Sequence, residues 1–189
     1  MRTALMLACF AAACAYAQQA NAASTRWEIE QGVEVPSYAV AEPTATDLNI
    51  DTVVLGCEQA GKGKVLQLQL YLSDDGRLRP IGVSPAGLRD DPQASIWIDG
   101  NRHPVTLMFA GDHVLLADNV GGALPHLSDH LIDAMQTGST MILQFELEMS
   151  RPGRPGEFDG KAILDLVAAG AKEAIAAMKQ CAGSRAPDA

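Results

Sequence analysis

The clearest pattern lies between Lys64 and Leu72, where Leu66, Leu68, Leu70 and Leu72 alternate with Gln67, Gln69 and Tyr71. That period of two predicts a strand with one buried face. Just before it, the β-branched run Asp51–Gln59 predicts a partner strand, and the Gly-Lys-Gly-Lys turn at 61–64 joins the two as a hairpin, with Cys57 near the end of its first arm. Downstream, Arg77–Val83 contains Pro80, which cannot donate to a ladder and so implies an edge strand. The Pro/Gly/Asp-rich stretch Ser84–Gln93 is expected to be a loop. Ser95–Ile98 is a short strand carrying Trp97, the turn Asp99-Gly100-Asn101 leads into a strand in which Val105, Leu107 and Phe109 alternate, and Gly111-Asp112 turns into His113–Asp118. The sum is an antiparallel meander.

A helix is expected over 128–137, with Ser128 as N-cap, Asp129 in the first turn, and Leu131, Ile132 and Met135 as its apolar stripe. Leu127 is placed to staple onto Ile132, and Gly138 to end the helix as a left-handed residue. Met141, Leu143, Phe145 and Leu147 then share one face of a strand. After the turn Arg151–Glu157, residues 158–166 fit either period. The compact turn and the interior Gly170 favour a strand there, followed by a helix over 167–181 that aims Cys181 at the sheet bearing Cys57. Residues 23–49 are expected to be loosely structured, with short β stretches near Trp27–Ile29 and Tyr38–Ala41. The predicted fold is α+β, a mostly antiparallel sheet of about seven strands with two helices packed on one face and one disulfide. Domain limits are 50–182 for the single domain and 183–189 for a disordered tail.

The N-terminus explains the disulfide. Arg2 is a short positive region, Ala4–Ala15 is apolar, and small-x-small sites end at Ala17 and Ala22, which together read as a signal peptide over 1–22. The apolar stretch is too short to span a bilayer, which takes roughly 20 residues. Acylation of Cys14, giving an outer-membrane lipoprotein, is the rival reading; it lacks the leucine usual three residues before the lipidated cysteine. Cleavage removes Cys9 and Cys14 and leaves Cys57 and Cys181, which in an oxidising compartment are expected to pair.

The full chain carries 14 basic and 23 acidic residues, a formal net charge of −9, and signal removal takes only Arg2 from that count. Such a charge disfavours nucleic acid and anionic lipid as partners. Chemical motifs are incomplete. Gly56–Gly63 departs from a phosphate loop because Gly63 stands at its Ser/Thr position and a strand follows. His126 and His130 are four apart like a zinc pair, but no third ligand has supporting spacing. Ser84 lacks the nucleophile-elbow context, and Asp74, Asp75, Asp90, Asp91 and Asp112 sit where turns favour aspartate for backbone reasons. No cofactor or catalytic residue is assigned.

Leu55-Gly56-Cys57, the lone mid-chain Trp97, the Leu131–Leu147 helix-strand unit and Leu166–Cys181 together resemble, in outline over about residues 50–181, the small exported domains of type VI secretion-associated proteins of the VasI kind. The resemblance implies an exported accessory protein without assigned chemistry. The function expected is therefore that of a periplasmic, non-catalytic interaction protein of the envelope or a secretion system, with Trp27, Tyr38 and Tyr71 as exposed partner-binding groups. The alternative is a periplasmic hydrolase or metal-dependent enzyme using His113, His126, His130 and the turn aspartates. Partner identity and oligomeric state are left open.

Overall fold

The computed structural model describes residues 26–149 and 158–183. The signal segment with both cleavage sites and Cys14, the Arg151–Glu157 turn, and the tail from Ser184 lie outside the described residues.

Ten strands form one antiparallel sheet, not about seven. They are β1 (Trp27–Ile29), β2 (Tyr38–Ala41), β3 (Ala45–Thr46), β4 (Ile50–Ala60), β5 (Gly63–Leu72), β6 (Leu88–Ile98), β7 (Asn101–Ala110), β8 (His113–Ala117), β9 (Thr140–Glu148) and β10 (Gly160–Asp165). Their spatial order is β1-β2-β4-β5-β8-β7-β6-β9-β10-β3. Within residues 26–49, β1 and β2 stand where short β stretches are expected and β3 is an additional strand; the segment is not loose, since Trp27, Ala39, Ala41 and Leu48 are core residues. Such short strands carry little pattern of their own and are held by pairing at the two ends of the sheet.

The central strand β7 pairs with β6 over Asn101–Val105 and with β8 over Thr106–Ala110, so the sheet passes from one lobe to the other along a single strand. It curls into a half-barrel. The two-residue turn between β6 and β7 has φ of 48° at Asp99 and 85° at Gly100, the left-handed pair that matches the strand twist.

Two stretches differ from expectation. β6 starts at Leu88 rather than Ser95, with a register shift between Leu88 and Gln93 that accommodates Pro92, so Asp90 and Asp91 are strand residues rather than turn residues. Around Pro80 there is only an isolated bridge to Leu48, because proline offers no N–H to a ladder. Trp97 faces outward, opposite the buried Ile96 and Ile98, and its Nε1 donates to Ser95 Oγ at 3.0 Å.

Helix α1 (Asp129–Thr137) is capped by Ser128, whose Oγ accepts from Leu131 N. Gly138 is extended at φ −69°, not left-handed; glycine is required there for space, since a Cβ would meet Ile98 and the Ala134 carbonyl. The carbonyls of Met135 and Gly138 at this end accept from the Lys172 ammonium. Helix α2 (Ala171–Gly183) begins four residues later than expected, after Gly170 at φ +83°. Residues 160–165 are a strand, as the hairpin argument favours.

Alternation along β5 and β9 buries Leu66, Leu68, Leu70 and Met141, Leu143, Phe145, Leu147. Ala171, Ala174, Ile175, Met178 and Cys181 of α2 pack against that inner face at 0% exposure, and Cys57–Cys181 bonds the last turn of α2 to β4. Among the described residues no helix is long and apolar enough to cross a membrane.

Candidate functional site

Because Val53, Leu55 and Cys57 point inward, the residues between them point out. Pairing then aligns outward rows across three strands: Tyr38 beside Gly56 beside Gln67, and Val40 beside Val54 beside Gln69. Leu115 and His113 of β8 continue the sheet beside Gln69 and Tyr71.

Two outward polar residues of β5 are nonetheless buried. Gln67 and Gln69 are each 7% exposed, a placement that costs free energy unless their amides are bonded. They are. Gln67 Nε2 donates to the Pro125 carbonyl at 2.7 Å, and Gln69 Nε2 donates to Glu58 Oε1 at 3.2 Å and to Gln67 Oε1 at 3.4 Å. Tyr71 O–H donates to Gln69 Oε1 at 3.3 Å. The Tyr71 ring is stacked on His113, with centroids 5.4 Å apart, and His113 Nδ1 lies 3.0 Å from Asp112 Oδ1. Gly56 leaves room for this arrangement, since a Cβ there would lie 3.2 Å from both Gln69 Nε2 and Glu58 Oε1. A chain of bonded side chains thus runs from Glu58 to Tyr71 and fixes their rotamers on a rigid sheet.

Burial raises the Tyr71 phenol above its ordinary value, with the Asp112 and Glu58 carboxylates adding to the effect. Glu58 makes no ion pair among the described residues. No lysine or arginine occupies an outward position of β2, β4 or β5; Lys64 is on the inner side, 3.6 Å from Cys181 Sγ.

Of the residues expected to bind a partner, Tyr38 is 43% exposed and Tyr71 is half-buried, and both belong to this outward face. Trp27 does not. Its ring is 3% exposed and turned inward, and its Nε1 donates to the Asp165 carbonyl, so the expectation of an exposed indole is corrected. The sequence patterns do not mark Gly56, Glu58, Gln67 and Gln69 as parts of one site. The available signal was a pair of glutamines alternating with leucines in a strand, but their partner carbonyl at Pro125 is 58 residues away.

The three histidines of the enzyme alternative keep separate company. His113 pairs with Asp112, His126 Nδ1 is 2.9 Å from the Leu124 carbonyl, and the His130 ring lies 5.5 Å from His103. Among the described residues no group of three or more His, Cys, Asp or Glu side chains converges to hold a metal. Asp74 is engaged by the Asn49 amide and by Arg79; the Asn49 bond is the larger cause of its lowered pKa, with Arg79 contributing. An open cleft of about 370 Å³ lies beside it, lined by Asp75, Phe109, Asp112 and His113 among others.

No family model, no curated protein and no solved structure matches this chain.

Proposed function

We propose that the protein is an exported, non-catalytic accessory protein of the cell envelope or of a secretion system, and that it works by binding another envelope protein through the outward face of β2, β4 and β5. The observation that carries this reading is the exposed Tyr38 on the same face as Tyr71, with a bonded glutamine network between them. Aromatic groups are the residue type enriched among interface anchors, and Tyr71, whose hydroxyl is bonded to Gln69, loses little entropy on binding. The signal-like N-terminus supports export, and the Cys57–Cys181 bond suits an oxidising compartment. The outline resemblance to VasI-like domains points to the same setting.

The test is site-specific photo-crosslinking in the producing cell. A crosslinking residue placed at Tyr38 or Val54 is expected to give one discrete adduct that Tyr71→Ala weakens, whereas the same probe at Gln144, outward on β9, gives none. The double variant His126→Ala/His130→Ala should retain both the adduct and the cellular phenotype. A folded double variant that loses the phenotype together with bound metal would replace this reading with the enzyme alternative.

A further inference from the structure

Resting on the surface reading above, we infer that the partner presents a basic segment, an extended stretch whose arginine or lysine side chain lies on the Tyr38 ring against the Glu58 carboxylate. Tyr38 stands directly beside Gly56 in the register, and it is over Gly56 that the Glu58 side chain folds back to reach Gln69. The bond from Gln69 engages Oε1 of Glu58, while Oε2 accepts no hydrogen bond among the described residues. An exposed phenol ring next to a carboxylate with no cationic partner is a receptor for one cation. The ring face supplies a cation–π contact, and the carboxylate supplies a charge-assisted hydrogen bond that favours a guanidinium.

The wider field has the same sign. No lysine or arginine is outward on β2, β4 or β5, Asp112 flanks the far tyrosine, and the chain as a whole carries a net charge of −9. At the other end of the face the Tyr71 phenol is raised first by its burial, and the Asp112 and Glu58 carboxylates add to that in the same direction. Val40 and Val54, half-buried between the two tyrosines, give alternate side chains of a docked segment an apolar seat. From strand spacing and rise, the backbones at Tyr38 and Tyr71 are about 16 Å apart, which an extended segment covers in about five residues. An acidic segment would be repelled along the whole path, which is how charge excludes wrong partners.

The measurement is a ¹⁵N–¹H NMR titration of the protein as recovered after export, with three probes: an acetylated, amidated (Leu-Arg)₄ peptide, its (Leu-Glu)₄ counterpart, and vesicles of phosphatidylcholine. The arginine peptide is expected to move amides of residues 38–40, 54–58 and 67–71, with affinity that falls as salt is raised. Glu58→Gln should weaken it about two- to fivefold, as for loss of one exposed ion pair, and Tyr38→Ala by a similar factor, in variants whose thermal unfolding matches the parent. The inference is overturned if both peptides move the same amides equally, if the shifts fall instead around Asp74 and Asp75, if the vesicles and not the peptide bind the face, or if millimolar arginine peptide moves nothing. A partner crosslinked at Tyr38 through an acidic or neutral segment would also overturn it while leaving the surface reading intact.

Discussion

The indole Nε1 of Trp27 donates to the main-chain carbonyl of Asp165 at 3.0 Å, across 138 residues of sequence. Trp27 N also donates to the Ala169 carbonyl, at 3.1 Å, and the Trp27 carbonyl packs so close to Gly170 that a Cβ there would lie 2.5 Å away. One residue of the edge strand β1 therefore clasps the segment between β10 and α2, joining regions near opposite ends of the sheet. Trp27→Ala should destabilise the fold by about 3 to 5 kcal/mol, as for other buried aromatic truncations. Trp27→Phe, which keeps most of the volume and loses the hydrogen bond, should cost about 1 kcal/mol from that bond. Urea unfolding measures both; a native-like midpoint for Trp27→Ala would return the residue to the role of a surface anchor.

The disulfide clamps the other end of the same helix. Cys57 and Cys181 are 124 residues apart, so the bond restricts a large loop in the unfolded chain and contributes about 4 to 5 kcal/mol in the chain-entropy model. Cys57→Ser and Cys181→Ser should each lower stability by several kcal/mol on that estimate. Thiol counting on unreduced protein lacking residues 1–22 should find no reactive cysteine, and two readily alkylated thiols would refute the bridge.

The parts of this fold legible in sequence are those in which one element carries its own pattern. The alternating leucines of β5, the Met141–Leu147 face of β9, the Ser128 cap and the Cys57–Cys181 pairing all follow from local periodicity or from compartment. What stayed hidden depends on distant partners. β3 is two residues long and exists because β10 lies beside it. Trp27 reads as a lone aromatic in a polar stretch until Asp165 and Ala169 are brought to it. Gly138 reads as a left-handed cap, although its real constraint is the nearness of Ile98. The outward network is the same case: Gln67 and Gln69 look like solvated strand positions until Glu58, Tyr71 and Pro125 enclose them.

Neighbouring residues on β9 separate the two faces of the sheet. Leu143 is fully buried, whereas Gln144 lies outward and only half-buried. Leu143→Ala should cost about 2 to 5 kcal/mol as a core truncation, and Gln144→Ala should stay within about 0.5 kcal/mol of the parent as a change on the outer face. Thermal unfolding of the pair decides it, and equal losses would mean that the inward face has been misassigned.

The Tyr71 phenol offers the most direct view of the outward network. Burial is the larger cause of its raised pKa, and the carboxylates of Asp112 and Glu58 are the next two. In a ¹³C NMR titration, the Tyr71 ring should deprotonate above its ordinary value of 10.0 in the folded protein. Glu58→Gln and Asp112→Asn should each bring it part of the way down, and neither should restore the ordinary value, because burial remains. The sign for stability follows from proton uptake. With its folded-state pKa raised, the native protein holds this proton at pH values where the unfolded chain has released it, so the phenol's contribution is complete below the unfolded value and is lost as pH rises through the folded one. Urea midpoints should therefore fall more steeply with rising alkalinity in the parent than in Tyr71→Phe, which has no proton to lose. A Tyr71 titration that Glu58→Gln leaves unmoved would show that the carboxylate does not act on the phenol, and would take away the electrostatic link between the two ends of the proposed binding face.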